Sequence, residues 1–185
     1  MRLANAPRLP FEFIGLADNI SLYMEEIEEL ADSMREDTLV SNARIDSGVY
    51  DLALDPTRSL IAPLKKAEVP YFNFAPLHNA LNDLEQAAAA YAEVVARGLP
   101  ASESENKLLY TSERELTRDD GLPGRPWFTH HIYAPGFYTG YGVKTIPGVR
   151  EAIEERQYEL VEDEVYVAAD VVAGMAARVR ELAEQ

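Results

Sequence analysis

The chain contains no cysteine. Disulfides, thiolate zinc sites and cysteine nucleophiles are therefore excluded. Histidine is scarce: the three are His78, His130 and His131. None belongs to an HExxH pair, and the neighbours His130 and His131 point apart as adjacent residues usually do. Hydrogen-bonded structural histidines are a better reading than a zinc site built from this chain alone. There is no GxSxG elbow, so a serine nucleophile has no recognisable setting either. No apolar run approaches the ~20 residues that span a bilayer, and the opening MRLANAPRLPF lacks the apolar core of a signal peptide. The chain as given is expected to be soluble, whether complete or cut from something longer. Basic residues are also few, with 17 Lys+Arg against 32 Asp+Glu and a net charge of −15. That balance argues against nucleic acid, which needs clustered Lys/Arg, and against an anionic membrane surface.

The most local absence is the most informative. From Gly121 to Arg150 there is no Asp or Glu, where an even spread of 32 acids over 185 residues would place about five. The same window holds Arg125, Lys144 and Arg150, both adjacent histidines, the only tryptophan (Trp127), Phe128, Tyr133, Phe137, Tyr138 and Tyr141. Pro123, Pro126, Pro135 and Pro147 stiffen it. A coil of this length is uncommon in a compact domain unless functional or disordered, and its aromatic content argues against disorder. It reads as a receiver for something anionic. Residues 121–135 are expected to fold over the domain, with Trp127 and Tyr133 as plugs. The glycine-rich GFYTGYG (136–142) is expected to form a ligand-facing tip.

What is present elsewhere is mainly helical. Leu16, Ile20, Tyr23, Ile27 and Leu30 form one stripe at three- and four-residue spacing, predicting a helix from Phe11 to about Met34. Residues 35–70 read as an irregular excursion with a short helix near 58–66. A second helix is expected from an N-cap at Asn73 to Gly98, and a third from Ser102, with Glu105 closing a capping box. A short helix follows Pro147 over about 148–157, and a last one runs from about Val161 to the end. Val167, Val171, Gly174 and Met175 give that last helix a second apolar face, which suggests contact with another domain or subunit as well as core packing. No stretch shows strand alternation. The predicted class is all-α, most simply a four-helix bundle with an elaborate loop at 117–147. Carboxylate pairs such as Glu25-Glu26 and Glu28-Glu29 read as solvated surface. No catalytic residue and no metal ligand is assigned within the chain.

GLPGRPWF (121–128), HIYAP (131–135), the Gly/Tyr-rich tip and IPGVREAI (146–153) together resemble the helical domain of the glutamate carboxypeptidase II type of zinc peptidase. This is the transferrin-receptor-like dimerisation domain, also found in the transferrin receptor. RLANAPRLPF (2–11) is similar to the join between that family's peptidase domain and its helical domain, making residues 1–10 the end of a linker and 11–185 the helical domain. YVAADVV (166–172) is similar to the family's last helix.

The resemblance implies a homodimer contact, an intramolecular contact with an upstream peptidase domain, and a loop lent to a peptide pocket that recognises a free C-terminal carboxylate. The two zinc ions, their ligands and the general-base glutamate would lie in the upstream domain, so no cofactor is expected here. This chain alone would not be an enzyme, while its parent would be a zinc metallopeptidase. The family's substrate-binding Lys-Tyr pair aligns with Gly140 and Tyr141. Gly140 removes the lysine, and with it the expectation of a strong preference for C-terminal glutamate. Lys144 is the candidate substitute. Phe137 and Tyr138 imply a pocket favouring larger or more apolar residues. The alternative reading is a non-catalytic, receptor-like binding and dimerisation scaffold. Members of the family it resembles are often exported or membrane-anchored, while these residues themselves leave the compartment open.

Overall fold

Once the first helix begins, no proline or glycine interrupts the chain between Gly15 and Gly48, and the helix continues as far as that allows. α1 spans Ile14–Asp46. It ends a dozen residues beyond the predicted end near Met34, because residues 35–46 are polar enough to hide the periodicity but carry no helix breaker. The computed structural model of the chain describes residues 6–52, 63–140 and 142–185. Two compact units result: Met1–Glu25 with Phe72–Gln185, and Glu26–Tyr71.

In the second unit, the short α2 (Val49–Leu52) follows α1, and residues 63–71 have no regular secondary structure. Side chains of α1 hold this segment by its backbone. Asn42 accepts from the Lys66 N–H (3.0 Å) and donates to the Lys66 carbonyl (2.8 Å). Arg35 donates to the Val69 and Pro70 carbonyls (3.1 and 2.8 Å) and lies 4.0 Å from the Tyr71 ring centre. Irregular sequence here is thus ordered by side-chain-to-backbone bonds. The helix expected near 58–66 falls mostly outside the described residues, and residues 63–66 are not helical.

The first unit is organised by α3 (Ala75–Ala96) packed along α6 (Tyr158–Ala183). Leu77, Leu81, Leu84 and Tyr91 of α3 and Val161, Val165, Val172 and Val179 of α6 are buried. Ala87, Ala88, Ala168, Ala169 and Ala176 are buried among them and keep the helix surfaces low where larger side chains would hold them apart. α3 takes its capping oxygen from Asn73, whose side chain accepts from the Ala75 N–H at 3.1 Å, although Phe74 occupies the cap position.

α4 (Glu103–Thr111) opens with the expected box, Ser102 and Glu105 each accepting the other's backbone N–H. Those bonds, the Ser102 N–H first, hold the Glu105 carboxyl below its usual range. Glu105 also pairs with Arg8 at 3.0 Å, and Asn106 accepts from the Leu9 N–H at 2.9 Å, fixing the entering chain to the start of α4. A 3-10 turn (Ser112–Leu116) and α5 (Pro147–Glu154) both pack on α6.

Two findings depart from the sequence reading. Tyr133–Pro135 (β1) and Val143–Thr145 (β2) form a small antiparallel hairpin, too short to show alternation in sequence. The supposed second face of α6 is also largely consumed at home. Val171 and Met175 are buried within this chain and Gly174 lies against Glu115. The outward stripe is instead Tyr166, Asp170, Ala173, Ala177 and Arg180. No helix among the described residues is long and apolar enough to cross a membrane.

Candidate functional site

The loop after the 3-10 turn is held by its own backbone. The Arg118 and Leu122 N–H groups donate to the Thr129 and Phe128 carbonyls (both 2.9 Å), and the His131 N–H donates to the Leu116 carbonyl (2.9 Å). At Gly121 φ is +65°, and a Cβ there would collide with the Pro126 backbone, so only glycine closes this turn. Leu122 and Ile132 are buried. They, and not Trp127 (69% exposed) and Tyr133 (46%), are the plugs. The expectation followed ring size. The structure instead buries the two aliphatic side chains and leaves the large rings outside.

The hairpin that follows pairs Tyr133 with Thr145, Ala134 with Lys144 and Pro135 with Val143. Beyond it, the Gly136 N–H donates to the Gly142 carbonyl (2.8 Å), and the Gly142 N–H to the Thr139 carbonyl (3.0 Å). The Thr139 hydroxyl also donates to the Gly142 carbonyl, at 2.8 Å. Gly140 sits in this turn with φ +59° and open space around it. Tyr141 lies outside the described residues. Phe137 (47% exposed) and Tyr138 (78%) lie with ring centres 4.7 Å apart, so the tip offers an aromatic pair to solvent.

Arg125, only 4% exposed, anchors that tip. Its guanidinium donates to the Pro135 carbonyl and pairs with Glu151 of α5. The other Glu151 oxygen accepts from the Phe137 N–H at 2.7 Å. The guanidinium carbon lies 5.4 Å from both the Phe128 and Phe137 ring centres. One arginine and one carboxylate thus hold both ends of residues 135–137. The sequence names Arg125 as a basic residue of the loop but gives no sign of its pairing with Glu151, because 26 residues separate them and no local spacing links them.

Lys144 is committed as well, with its Nζ 2.7 and 2.9 Å from the two Glu154 oxygens. Arg150 donates to the carbonyl and hydroxyl of Thr145 at 3.2 and 2.8 Å. The window that lacks acids in sequence therefore meets them in space, brought by α5. Of the four candidate substrate-binding residues, Tyr138 and Gly140 share the tip, whereas Lys144 lies at its base beside Glu154.

The chain enters α5 through Ile146, a β-branched residue in the left-handed region (φ 43°, ψ 59°). That conformation costs about 1–2 kcal/mol. Its complete burial and the 2.7 Å bond from its N–H to the Ile132 carbonyl offset the strain. The histidines are structural in setting. His130 Nδ1 accepts from the Ile132 and Tyr133 N–H groups, both at 3.2 Å, and its ring lies 4.2 Å from that of Tyr133. The Tyr133 hydroxyl donates to Glu113 at 2.6 Å, which raises its pKa. Burial pushes both His130 and His131 down, toward the neutral ring.

Beside the tip lies a cavity of about 320 Å³ lined by Pro123, Phe137, Tyr138, Gly148, Glu151 and Glu155. Its chemistry is aromatic and acidic. Among the described residues no three His, Asp or Glu side chains stand together as metal ligands. The residues present do not fit a zinc site, and no chemical step is assigned through one.

A helical unit with an aromatic tip pinned by Arg125 is what the match to known proteins covers. Residues 72–180 match the transferrin receptor-like dimerisation domain. The chain belongs to that family. The dimerisation domain is 40% identical over 81 residues to a probable glutamate carboxypeptidase of Arabidopsis thaliana, covering 42% of this chain and 12% of that protein. It is 37% identical over 67 residues to a probable glutamate carboxypeptidase of Arthroderma benhamiae, covering 32% of this chain and 9% of that protein. The dimerisation domain thus spans only a small part of the curated relatives it matches.

Proposed function

We propose that this chain is the helical domain of a zinc-dependent carboxypeptidase or related exopeptidase. In this reading it mediates homodimerisation and lends residues 136–142 to a peptide pocket built mainly by a neighbouring peptidase domain. The zinc ions and the general base belong to that neighbour. The first half of α1, α3, α4 with its 3-10 turn, and α6 would supply the four-helix bundle.

The observation that carries the reading is the tip. Exposed aromatic side chains on a loop are ordinarily a liability, yet here a buried ion pair and five backbone or side-chain hydrogen bonds hold them facing outward. A solvent-facing aromatic tip on a domain of this family suits a pocket completed by another domain. The carboxypeptidase names of both relatives support a peptide ligand with a free C-terminal carboxylate.

Tyr141 is the residue proposed to donate its hydroxyl to that carboxylate. Tyr138 and Phe137 would line the side-chain subsite, and Gly140 would leave it without a lysine. Lys144 would add positive charge only by sharing Glu154, so it is the weaker contributor. In the full-length protein, Tyr141→Phe is expected to raise KM about tenfold, the equivalent of one hydrogen bond to a charged group. Gly140→Asp should raise it further by repelling the carboxylate. Unchanged peptide kinetics in both variants would sink the pocket assignment. A full-length protein that neither binds zinc nor hydrolyses peptides would leave the receptor-like scaffold.

For assembly, the outward stripe of α6 with Ala173 and Ala177 at its centre is proposed as an isologous two-fold contact. Ala173 is exposed, so Ala173→Glu should leave the fold intact and lower the dimer fraction seen by light scattering. An unchanged dimer would move the contact elsewhere.

A further inference from the structure

Independently of that reading, a second cavity of about 330 Å³ adjoins the loop, lined by Asp120, Gly121, Pro123, His131, Glu164 and Val167 among others. Two side chains in it have no hydrogen bond among the described residues. His131 is 3% exposed, and its Nε2 is buried with no hydrogen bond among the described residues. A buried nitrogen without a hydrogen bond is unfavourable, so the cavity favours an occupant that can satisfy it. Glu164 on α6 is half-buried and makes no hydrogen bond or ion pair among the described residues. Space for its carboxylate is made by Gly148 at the start of α5, where an added Cβ would overlap it.

We propose that this cavity binds a primary alkylammonium group, carried by a free aliphatic amine or by a lysine side chain. The charge around it selects a cation. Asp120 from the loop and Asp163 from α6 add to the field at Glu164, while the nearby Arg118 is engaged with Asp120 (3.3 Å) and Asp170 (3.5 Å). An anion would be repelled. A metal ion would need three ligands together, and no such trio exists among the described residues. An ammonium carries three donors on one tetrahedral centre. One can serve the Glu164 carboxylate and another the neutral His131 ring, which burial keeps uncharged. Gly121, Pro123 and Val167, with Leu122 and Pro126, supply apolar wall for an aliphatic chain.

Glu164 must be ionised to hold a cation, and burial raises its pKa to about 7. The occupant should therefore bind more tightly at pH 8 than at pH 6. Asp120, Asp163, Arg118 and His131 are the charged or titratable groups that face Glu164, and of these only His131 normally titrates near that range. Burial shifts His131 toward the neutral ring.

The test is titration of the 185-residue chain with n-butylammonium at pH 8 and pH 6, followed by NMR and calorimetry. Saturable binding, at least tenfold weaker in Glu164→Gln and weaker at pH 6, is the expected result. Glu164→Gln preserves shape and removes an unpaired charge; His131→Gln serves as a second variant should the first lose its helical circular dichroism. Binding of Nα-acetyl-lysinamide as well as butylammonium would indicate a lysine side chain as the source, and butylammonium alone a free amine. No saturation, equal binding in the variants, equal binding of n-butanol, or zinc binding with no amine binding would each overturn the proposal.

Discussion

Replacing Arg125 with methionine would remove the charge that holds the tip while keeping an unbranched stem between the rings of Phe128 and Phe137. Three contacts are lost: the bond to the Pro135 carbonyl, the pair with Glu151, and the guanidinium placed over two aromatic faces. Glu151 is then left with a carboxylate whose side chain is only 15% exposed and whose remaining partner in this network is the Phe137 N–H. Breaking a buried pair from one side costs about 3–5 kcal/mol, mostly through the uncompensated charge that remains. With a urea m-value of about 1–3 kcal/mol/M, the midpoint should fall by at least about 1 M.

Trp127, the only tryptophan and two residues from Arg125, reports on the loop by fluorescence, while far-ultraviolet circular dichroism reports on the helices. The loop signal should be lost first. Arg125→Met with Glu151→Gln should recover part of the loss, because glutamine still accepts from the Phe137 N–H and leaves no buried charge. A Trp127 transition that stays in place, or strictly additive losses in the double variant, would refute the clamp.

Gly121→Ala should destabilise the loop by more than about 2 kcal/mol, from left-handed strain plus collision with Pro126, and Gly140→Ala by only about 1–2 kcal/mol, since open space surrounds it; paired denaturation curves compare the two. Ser102→Ala should cost about 1 kcal/mol by opening the capping box, seen as a lower melting temperature. Glu164 makes stability depend on pH. Its folded pKa, about 7, lies above its ordinary 4.5, so its contribution is complete below about 4.5 and is lost as pH rises through 7. His130 and His131 act in the opposite sense, with depressed folded values whose contribution is present above about 6.5 and lost as pH falls below it. The urea midpoint of the native chain relative to that of Glu164→Gln should therefore fall as pH rises from about 4.5 through 7, a difference in which the histidine contributions common to both proteins cancel.

Much of the fold was legible in the residues. Ser102 and Glu105 announce the start of α4, Pro147 the start of α5, and the valines and alanines of α6 its length and packing, because caps and periodicity act over three or four residues. α1 was underestimated since helices extend until something breaks them, and a polar stretch without Pro or Gly gives no apolar stripe to count. The hairpin escaped notice because three residues per strand show no alternation, and its pairing is set by the tight turn at 139–142.

The sequence by itself determined the helical class, the family, and the loop at 117–147 as its distinctive part. Only the tertiary structure decided the electrostatics of that loop. An acid-free window implied free positive charge, but charge balance is settled by neighbours in space. Glu151 and Glu154 of α5 engage Arg125 and Lys144 from just beyond the window's end. Likewise His131, on the loop, and Glu164, on α6, lie 33 residues apart in sequence and line one cavity. A composition count along the chain cannot register such pairs, because only the packing of the loop with α5 and α6 brings them together.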